Sequence, residues 1–306
     1  MLALLVDIED RAPNFFLYVL LYIAMLLCFV AIVVVVFIIV AAVVMALVCA
    51  TPSSIHARLT SQSEPTEATD VTTIPRIIVA TCKDKAKIPF KVYDNWNTFA
   101  PNYLHVVFDD KEALEFLESH YPSYVVKKYL DLGGAHRADL FRYCYLYRFG
   151  GVYIDVKTEL IRDMDDIIKS RPHVDLYTVL SIHDDTMYQG IIAAKPNQTL
   201  FLELIDVLVS TPSSTLRQNY LINTRDFYRV LKKASTSAAL GAGESIFVQP
   251  GRPSRSATAY LFVEKCSRRA CDCSDGLDRY GLCCHVHDEA ATGDVVFKTR
   301  YSDYPW

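Results

Sequence analysis

Three charged side chains in the middle of the chain have a spacing suited to phosphate chemistry. Asp139 and Arg142 are three residues apart in a segment of helical character, so they share one face of a helix. Asp155 follows at the end of a short apolar run, where open α/β sheets place their ligands. A cation beside carboxylates suits a nucleotide-linked sugar, whose phosphates need positive charge. Because an isolated Asp–Arg pair is more often a surface ion pair, the prediction depends on the surrounding elements.

The flanking residues indicate how these side chains are brought together. A helix is predicted over Ala135–Phe149, and it ends at Gly150-Gly151 because glycine readily takes the positive φ found after helix C-termini. The glycines lead directly into a strand predicted over Val152–Val156, which contains Tyr153 and Asp155. This helix, glycine pair and strand form one unit. We expect the unit to bring the polar helix face close to the end of the strand.

Beyond residue 74, apolar β-branched runs alternate with segments of helical spacing. Strands are predicted over Arg76–Lys83, Tyr103–Asp109, Val152–Val156, Val174–Ile182 and Gly190–Ala194, and helices over Pro89–Phe99, Lys111–His120, Ala135–Phe149, Thr199–Val209 and Arg225–Lys233. This alternation predicts an α/β domain over residues 74–306 with a mostly parallel sheet.

The N-terminal part has a different composition. Residues 15–50 contain no charged side chain, and a membrane span needs about 20 apolar residues. They are therefore predicted to be a transmembrane helix that follows a short tail over residues 1–14. A signal peptide cleaved near Val48-Cys49-Ala50 is the alternative, although its apolar core would be only about 7–15 residues long. Residues 51–73, rich in Ser, Thr, Pro and Glu, are predicted to be a flexible stalk.

Several features bear on the compartment. The basic residues that flank the apolar run, Arg11 and Arg58, are too few to set its orientation. The glycosylation sequon at Asn197 and five cysteines between Cys266 and Cys284 favour an oxidising lumen. We therefore expect a single-pass type II membrane protein of the Golgi or endoplasmic reticulum. The net charge of −4 and pI of about 6.1 indicate no nucleic-acid partner.

The cysteine-rich part, residues 266–287, is open to two interpretations. Its potential ligands are Cys266, Cys271, Cys273, Cys283, Cys284, His285 and His287. The one-residue gap between Cys271 and Cys273 does not match a zinc knuckle, so disulfides are favoured over a zinc site. The odd cysteine would pair with Cys82 or Cys144, or stay free. Residues 301–306 are aromatic and are expected to pack on the core rather than cover an acceptor groove.

Residues 134–160, GAHRADLFRYCYLYRFGGVYIDVKTEL, resemble the Asp-x-Asp region of glycosyltransferase family 32. That family includes initiating α-1,6-mannosyltransferases, inositol-phosphoceramide mannosyltransferases and α-1,4-galactosyltransferases. The resemblance continues upstream at residues 74–78 and in YDNWNTFAPNYLHVVFDD, Tyr93–Asp110, so that it covers residues 74–159.

The resemblance implies a GT-A-type, Rossmann-like nucleotide-sugar domain that transfers a hexose with retention from a UDP- or GDP-hexose to a glycan or glycolipid. Asp139 and Arg142 would bind the donor sugar and diphosphate, and Tyr153 would line the nucleotide pocket. Asp155 would contact ribose and sugar and would be a ligand of a divalent metal, Mn²⁺ or Mg²⁺. A C-terminal segment often returns to the donor pocket in this fold, which makes His285, His287 and Asp288 possible auxiliary ligands.

Two departures from the family pattern bear on mechanism. Lys157 stands where the second, metal-binding Asp is expected, and a protonated lysine does not bind a divalent ion. Either Lys157 supplies the charge beside the diphosphate, or Asp155 holds the metal with other groups, or the protein is inactive. In the first strand, Val79-Ala80 and Cys82 replace the family's His-Gln and Trp.

Two classes of function follow from these residues. The first hypothesis is a membrane-anchored, retaining glycosyltransferase in which Asp155 and Lys157 act in catalysis. The second is a non-catalytic relative that binds nucleotide sugar or glycan as a partner or scaffold, and Lys157 is the residue that favours it.

Overall fold

The computed structural model describes residues 21–27, 30, 32–36, 73–267 and 283–299. The chain divides into two units, residues 1–69 and 70–306. The described residues of the first unit are helical, with exposed apolar side chains. None of the described helices is long and apolar enough to cross a membrane. The predicted tail over residues 1–14, most of the predicted transmembrane helix and the stalk up to residue 72 lie outside the described residues.

The second unit is a mixture of helices and strands. The strands are β1 Ile77–Thr81, β2 Leu104–Phe108, β3 Gly151–Ile154, β4 Glu159–Leu160, β5 Leu176–Leu180, β6 Met187–Ala194, β7 Gly243–Val248, β8 Ser256–Ser267, β9 Cys283–His287 and β10 Val295–Lys298. The helices are α1 Phe90–Phe99, α2 Asp110–His120, α3 Ser123–Asp131, α4 Gly134–Phe149, α5 Met164–Lys169, α6 Thr199–Ser210, α7 Ser213–Gln218 and α8 Ile222–Ala234.

The described strands form one sheet in the order β2-β1-β3-β6-β5-β8-β9-β10-β4, with β7 also paired to β8. Parallel pairing links β1 to β2, β1 to β3 and β5 to β8. The remaining strand pairs are antiparallel. The predicted α/β class is confirmed, but the prediction of a mostly parallel sheet is wrong. Successive strands such as β5 and β6 are joined by short loops, and a short loop permits only antiparallel pairing.

The hydrophobic core lies against the sheet. Trp96 of α1 is fully buried and packs edge-to-face on Tyr93 and His105. Val92, one helical turn earlier, is also fully buried, which explains why this segment forms a helix with one apolar face. Helix α4 is buried along most of its length and packs on α6 and β3. The helix that carries the candidate site is therefore part of the core.

The five strands and the five helices predicted from the sequence are all present, with ends shifted by up to three residues. The elements that were not predicted include β4 and β7 to β10, which complete the C-terminal part of the sheet. In β7 the buried positions include Gly243 and Ser245 while Ile246 is exposed, and β4 has two residues. Neither strand has the alternation of apolar and polar residues that marks a strand in a sequence, and in the sheet they pair with β8 and β10.

Candidate functional site

The parallel strands β1, β2 and β3 have their carboxyl ends at the same edge of the sheet. Thr81 ends β1, and its hydroxyl lies 3.1 Å from the hydroxyl of Tyr153 on β3. The Tyr153 hydroxyl also donates to Oδ1 of Asp155, at 3.0 Å. Since Tyr153 is fully buried, its hydrogen bond orients Asp155 from within the core. The sheet edge thus presents the Asp155 carboxylate just beyond the ends of two strands, as expected for a ligand site.

The paired glycines set the path from helix α4 to strand β3. Gly150 and Gly151 have φ angles of 64° and 98°, a region that side chains disfavour. A Cβ on Gly150 would lie 2.7 Å from the carbonyl oxygen of Ala194, and one on Gly151 would lie 2.9 Å from that of Ile77. The neighbouring backbones therefore pass too close for any residue except glycine. This close passage brings Arg142 on the helix to Asp155 after the strand.

Arg142 is the centre of the site and is only 4% exposed. One terminal nitrogen, Nη2, lies 3.3 Å from Oδ1 of Asp139 and 3.5 Å from Oδ1 of Asp155. Its guanidinium also lies over the ring of Tyr153, 4.3 Å from the centroid. The structure therefore brings together Asp139, Arg142, Tyr153 and Asp155, the group that the sequence predicted. Buried cations of this kind are stable only when paired, and Arg142 has two carboxylates.

Lys157 is the most exposed charged residue of the same group. Its Nζ is 3.6 Å from Oδ2 of Asp155, and its side chain is 31% exposed, compared with 21% for Asp155 and 4% for Arg142. Burial raises the pKa of Asp155, but the charges of Arg142 and Lys157 and the hydrogen bond from Tyr153 outweigh it, so the net pKa is lowered. The site therefore holds an ionised carboxylate between a buried and an accessible cation.

Asp139 lies deeper than the sequence suggested. Its side chain is 9% exposed, and its second oxygen, Oδ2, accepts a hydrogen bond of 2.8 Å from the amide of Asn223 on α8. The same amide donates to Nδ1 of His136 at 2.9 Å, and Nε2 of His136 lies 2.7 Å from the carbonyl oxygen of Leu216. Both carboxylate oxygens of Asp139 are thus engaged within the protein. In this arrangement Asp139 holds Arg142 in place and does not face solvent.

Two further residues that the sequence did not identify as site residues belong to the group. The backbone carbonyl of Gln189, on β6, accepts a hydrogen bond from Nη1 of Arg142, and its side chain accepts one of 2.7 Å from Tyr143. Asn223 bridges Asp139 and His136 as described. Neither residue stands in a motif with the charged pair, and both come from elements far along the chain. A local sequence pattern therefore gives no signal for them.

Asp155 is poorly surrounded for a divalent metal. Its Oδ1 is engaged by Arg142 and Tyr153 and its Oδ2 faces the Lys157 ammonium. In the described part of the chain, the one group of three potential ligands is Glu264 with Cys266 and Cys284, and these cysteines form a disulfide. The described residues therefore do not fit the divalent metal that the family resemblance implies at Asp155.

The C-terminal candidates for auxiliary metal ligands have other contacts. Asp288 is buried and is held by Arg171, at 3.1 Å, and by the hydroxyl of Tyr260. Nδ1 of His287 lies 3.0 Å from the carbonyl oxygen of Gly293. His285 faces Lys298 across the β9–β10 pair. Burial, followed by the Lys298 charge, lowers its pKa. Asp288 is thus engaged by an ion pair and a hydrogen bond, and its role as an auxiliary ligand stays a prediction.

The disulfide prediction for the cysteine-rich part is confirmed for one pair, Cys266 with Cys284, which joins β8 to β9. Cys82 and Cys144 are free thiols, and burial is the main reason why the pKa of Cys82 rises to about 11. Cys271 and Cys273 and the closing residues 301–306 lie outside the described residues.

The upstream residues of the resemblance have structural contacts. Asp109 caps helix α2 in a capping box with Glu112, and Asp110 forms an ion pair of 2.9 Å with Arg137. Of the residues that replace the family's first-strand contacts, Val79 and Ala80 are fully buried. The described contacts of these residues therefore stabilise the fold around the site.

Asn197, the sequon residue, lies in the turn before helix α6 with a φ of 62° and is partly exposed. The hydroxyl of Thr199 is buried and donates to Gln249 at 3.0 Å.

Known proteins resemble part of this chain. Residues 90–173 match the family described as the glycosyltransferase sugar-binding region containing a DXD motif. Inositol phosphoceramide mannosyltransferase 3 of Schizosaccharomyces pombe is 31% identical over 98 residues, which cover 31% of this chain and 27% of the relative. Mannosyl phosphorylinositol ceramide synthase SUR1 of Saccharomyces cerevisiae is 27% identical over 108 residues, which cover 35% of this chain and 27% of the relative.

Among solved structures, the PaToxG glycosyltransferase has a TM-score of 0.37 and 13% sequence identity, and the match covers 53% of this chain and 70% of that one. The matched segment spans only 27% of the length of each of the two curated relatives. Together with the family match, these relatives confirm the resemblance to a family 32-like glycosyltransferase that was predicted from the sequence.

Proposed function

We propose that this protein is a glycosyltransferase with a GT-A-type domain, which moves a hexose from a UDP- or GDP-hexose to a glycan or glycolipid. The observation that carries the proposal is the Asp155 carboxylate, held between Arg142 and Lys157 at the carboxyl ends of parallel strands. It lies within residues 90–173, which match a glycosyltransferase sugar-binding region. Both curated relatives are named for mannosyl transfer to, or synthesis of, inositol-phosphate ceramides, which favours a glycolipid acceptor.

In the proposed reaction, Asp155 accepts hydrogen bonds from hydroxyls of the donor, and the hydroxyl of the buried Tyr153 orients Asp155. Asp139 holds Arg142 by an ion pair, and Arg142 in turn orients Asp155. The bond from the anomeric carbon to the diphosphate breaks, and its electron pair passes to the departing phosphate oxygen. An acceptor hydroxyl oxygen bonds to the same carbon on the same face, and its proton passes to the departing phosphate. Stabilising the charge of the leaving diphosphate is the main catalytic task.

The test is donor hydrolysis and transfer by the full chain with a panel of UDP-glucose, UDP-galactose and GDP-mannose. We expect turnover with one donor and a retained anomeric configuration in the product, observed by NMR. Asp155→Ala should lower the rate by about 10²–10³-fold, as expected for loss of one group that contacts the reacting donor. Lys233→Ala, on a lysine side chain that is 77% exposed, is the matched control. An Asp155→Ala protein as active as the parent would exclude this site assignment.

A second candidate function is a non-catalytic relative that binds nucleotide sugar or glycan as a partner or scaffold. Lys157 favours it, because this residue stands where the DXD motif has its second Asp. The two functions differ in one measurement. Saturable nucleotide binding without hydrolysis or transfer of any donor would support the non-catalytic function, whereas turnover would exclude it.

We also propose that residues 15–50 anchor the protein in a Golgi or endoplasmic-reticulum membrane with the C-terminal domain in the lumen. The support is a run of 36 residues without a charge, longer than the roughly 20 residues that a span requires. A lumenal domain would carry a glycan on Asn197. Carbonate extraction should leave the full chain in the membrane fraction, and glycosidase treatment should shift the parent but not Asn197→Gln. Release by carbonate would contradict the anchor.

A further inference from the structure

We infer that the donor site works without a divalent metal, and that the Lys157 ammonium contacts the donor diphosphate in its place. The inference rests on the proposed function, because it concerns how the same site binds its donor. The family that matches this region is described by a DXD motif, whereas this chain has Asp155-Val156-Lys157. The position of Lys157 in the structure explains how the site can dispense with the second carboxylate.

Both carboxylate oxygens of Asp155 have partners in the protein. Its Oδ1 is taken by Arg142 and Tyr153, and its Oδ2 lies 3.6 Å from Nζ of Lys157. A divalent ion bound to Oδ2 would sit about 2 Å from that oxygen and therefore within about 6 Å of the ammonium. Like charges at that distance repel strongly in a partly buried site. Lys157 and a metal therefore compete for the same carboxylate oxygen.

The two cations of the site differ in their exposure to solvent. Arg142 is 4% exposed, and each of its nitrogens contacts an oxygen of the protein. The Lys157 side chain is 31% exposed, compared with 21% for Asp155. An ammonium has three donors, so Lys157 can keep one on Asp155 and direct the others to phosphate oxygens. Within the site, Lys157 is thus the cation that an incoming diphosphate meets first.

The described residues around Asp155 supply no further ligands for a metal. Among the described residues, no group of three potential ligands includes Asp155, and Asp139 has both oxygens bonded to Arg142 and Asn223. A hydrogen bond to a charged phosphate and the attraction of the ammonium are the same kind of stabilisation that a metal supplies. The structure assigns this role to Lys157.

The experiment is calorimetric titration of the full chain with UDP and with GDP, in EDTA and then in Mn²⁺. We expect one nucleotide to bind equally well in both. Lys157→Ala should bind it about 10–100-fold more weakly, the range expected for loss of a hydrogen bond to a charged group. Lys157→Arg should keep most of the affinity, because it keeps the charge. Lys233→Ala is the surface control and should bind like the parent.

Lys157→Asp restores the Asp-x-Asp pattern and is the sharpest variant. It should bind nucleotide only when Mn²⁺ is present, and its melting temperature shows whether it is folded. Parent binding that requires Mn²⁺ and is lost in EDTA would overturn the metal-free site but leave the glycosyltransferase proposal standing. Binding of neither nucleotide under either condition would overturn both. The two failures are therefore distinguishable.

Discussion

Arg142 shows how a single residue determines the candidate site. It lies within 3.5 Å of two carboxylates, is almost fully buried and also covers the ring of Tyr153. Removing it leaves Asp139 and Asp155 without their shared cation. The same side chain therefore contributes to the stability of the fold and to the geometry of the site.

Arg142→Ala should lower the free energy of unfolding by about 3–5 kcal/mol, because breaking a buried ion pair leaves an uncompensated charge. Chemical denaturation measures this difference. The matched control is Arg229→Ala, whose side chain is 70% exposed and paired with Asp226, and which should cost less than about 1 kcal/mol. Equal losses for the two variants would show that Arg142 is not a buried partner of the carboxylates.

Asp155 predicts an acid dependence of stability. Its pKa is lowered below the ordinary value of 3.8: burial acts against this, and Arg142, Lys157 and the hydrogen bond from Tyr153 prevail. A group with a depressed folded pKa stabilises the protein above its unfolded pKa, and this contribution is lost as the pH falls through the folded pKa. The parent should therefore lose stability below about pH 4, and part of this loss should be missing in Asp155→Asn.

Denaturation midpoints between pH 2 and pH 7 measure the effect, and Asp226→Asn is the control. Burial raises the pKa of Asp226, so its contribution has the opposite sign. The same acid loss in Asp155→Asn as in the parent would contradict the assignment of a paired, ionised Asp155.

At the scale of the element, the junction between α4 and β3 determines where the site forms. The positive φ angles of Gly150 and Gly151 and the close backbones of Ala194 and Ile77 leave no room for a side chain. Asn223 and Gln189 then join the site from α8 and β6. The glycine pair is visible in the sequence, whereas these two contacts depend on which helix and strand pack against α4.

Gly151→Ala should destabilise the protein by about 1–3 kcal/mol, the usual cost of a side chain in a sparsely populated backbone region. The Cβ would also lie 2.9 Å from the carbonyl oxygen of Ile77, so β3 must shift. Gly241→Ala is the matched control, because nothing lies within 4 Å of its Cβ position. Thermal melting of both variants measures the difference. Equal melting temperatures would show that the junction tolerates a side chain.

At the scale of the whole molecule, the C-terminal strands complete the sheet that supports the site. β8 pairs with β5 along one edge and with β7 and β9 along the other. β10 then pairs with β4, which directly follows the Asp155–Lys157 segment. Tyr188, on β6, links Thr158 to the carbonyl oxygen of Thr299 by its hydroxyl. The C-terminal residues around β10 thus hold in place the chain that follows Lys157.

The Cys266–Cys284 disulfide joins β8 to β9 across 18 residues. Replacing both cysteines by alanine should lower the free energy of unfolding by about 2–4 kcal/mol. Denaturation with and without dithiothreitol measures it: the reductant should destabilise the parent by more than it destabilises the double variant. Cys82→Ala, at a free thiol, should still respond to the reductant. A parent that is insensitive to the reductant would contradict a stabilising disulfide.

Local sequence patterns predict five of the strands, five of the helices and the group of Asp139, Arg142 and Asp155. Period-two and period-3.6 hydrophobic patterns are local, and so are helix ends at glycine, which is why β1 to β3 and α4 were predicted close to their observed bounds. The spacing of Asp139, Arg142 and Asp155 is also local, since it depends on one helix, one turn and one strand. These features need no knowledge of the rest of the chain.

The direction of the strand pairs and the burial of each site residue depend on how distant segments pack together. Antiparallel pairing of β3 with β6 and of β8 with β9 depends on contacts between distant segments. A local sequence pattern does not show how strongly such segments bind each other. The family resemblance implies that Asp139 binds the donor, and the structure adds that its two carboxylate oxygens contact Arg142 and Asn223. The sequence leaves the role of Lys157 open, and the structure places its Nζ 3.6 Å from Oδ2 of Asp155.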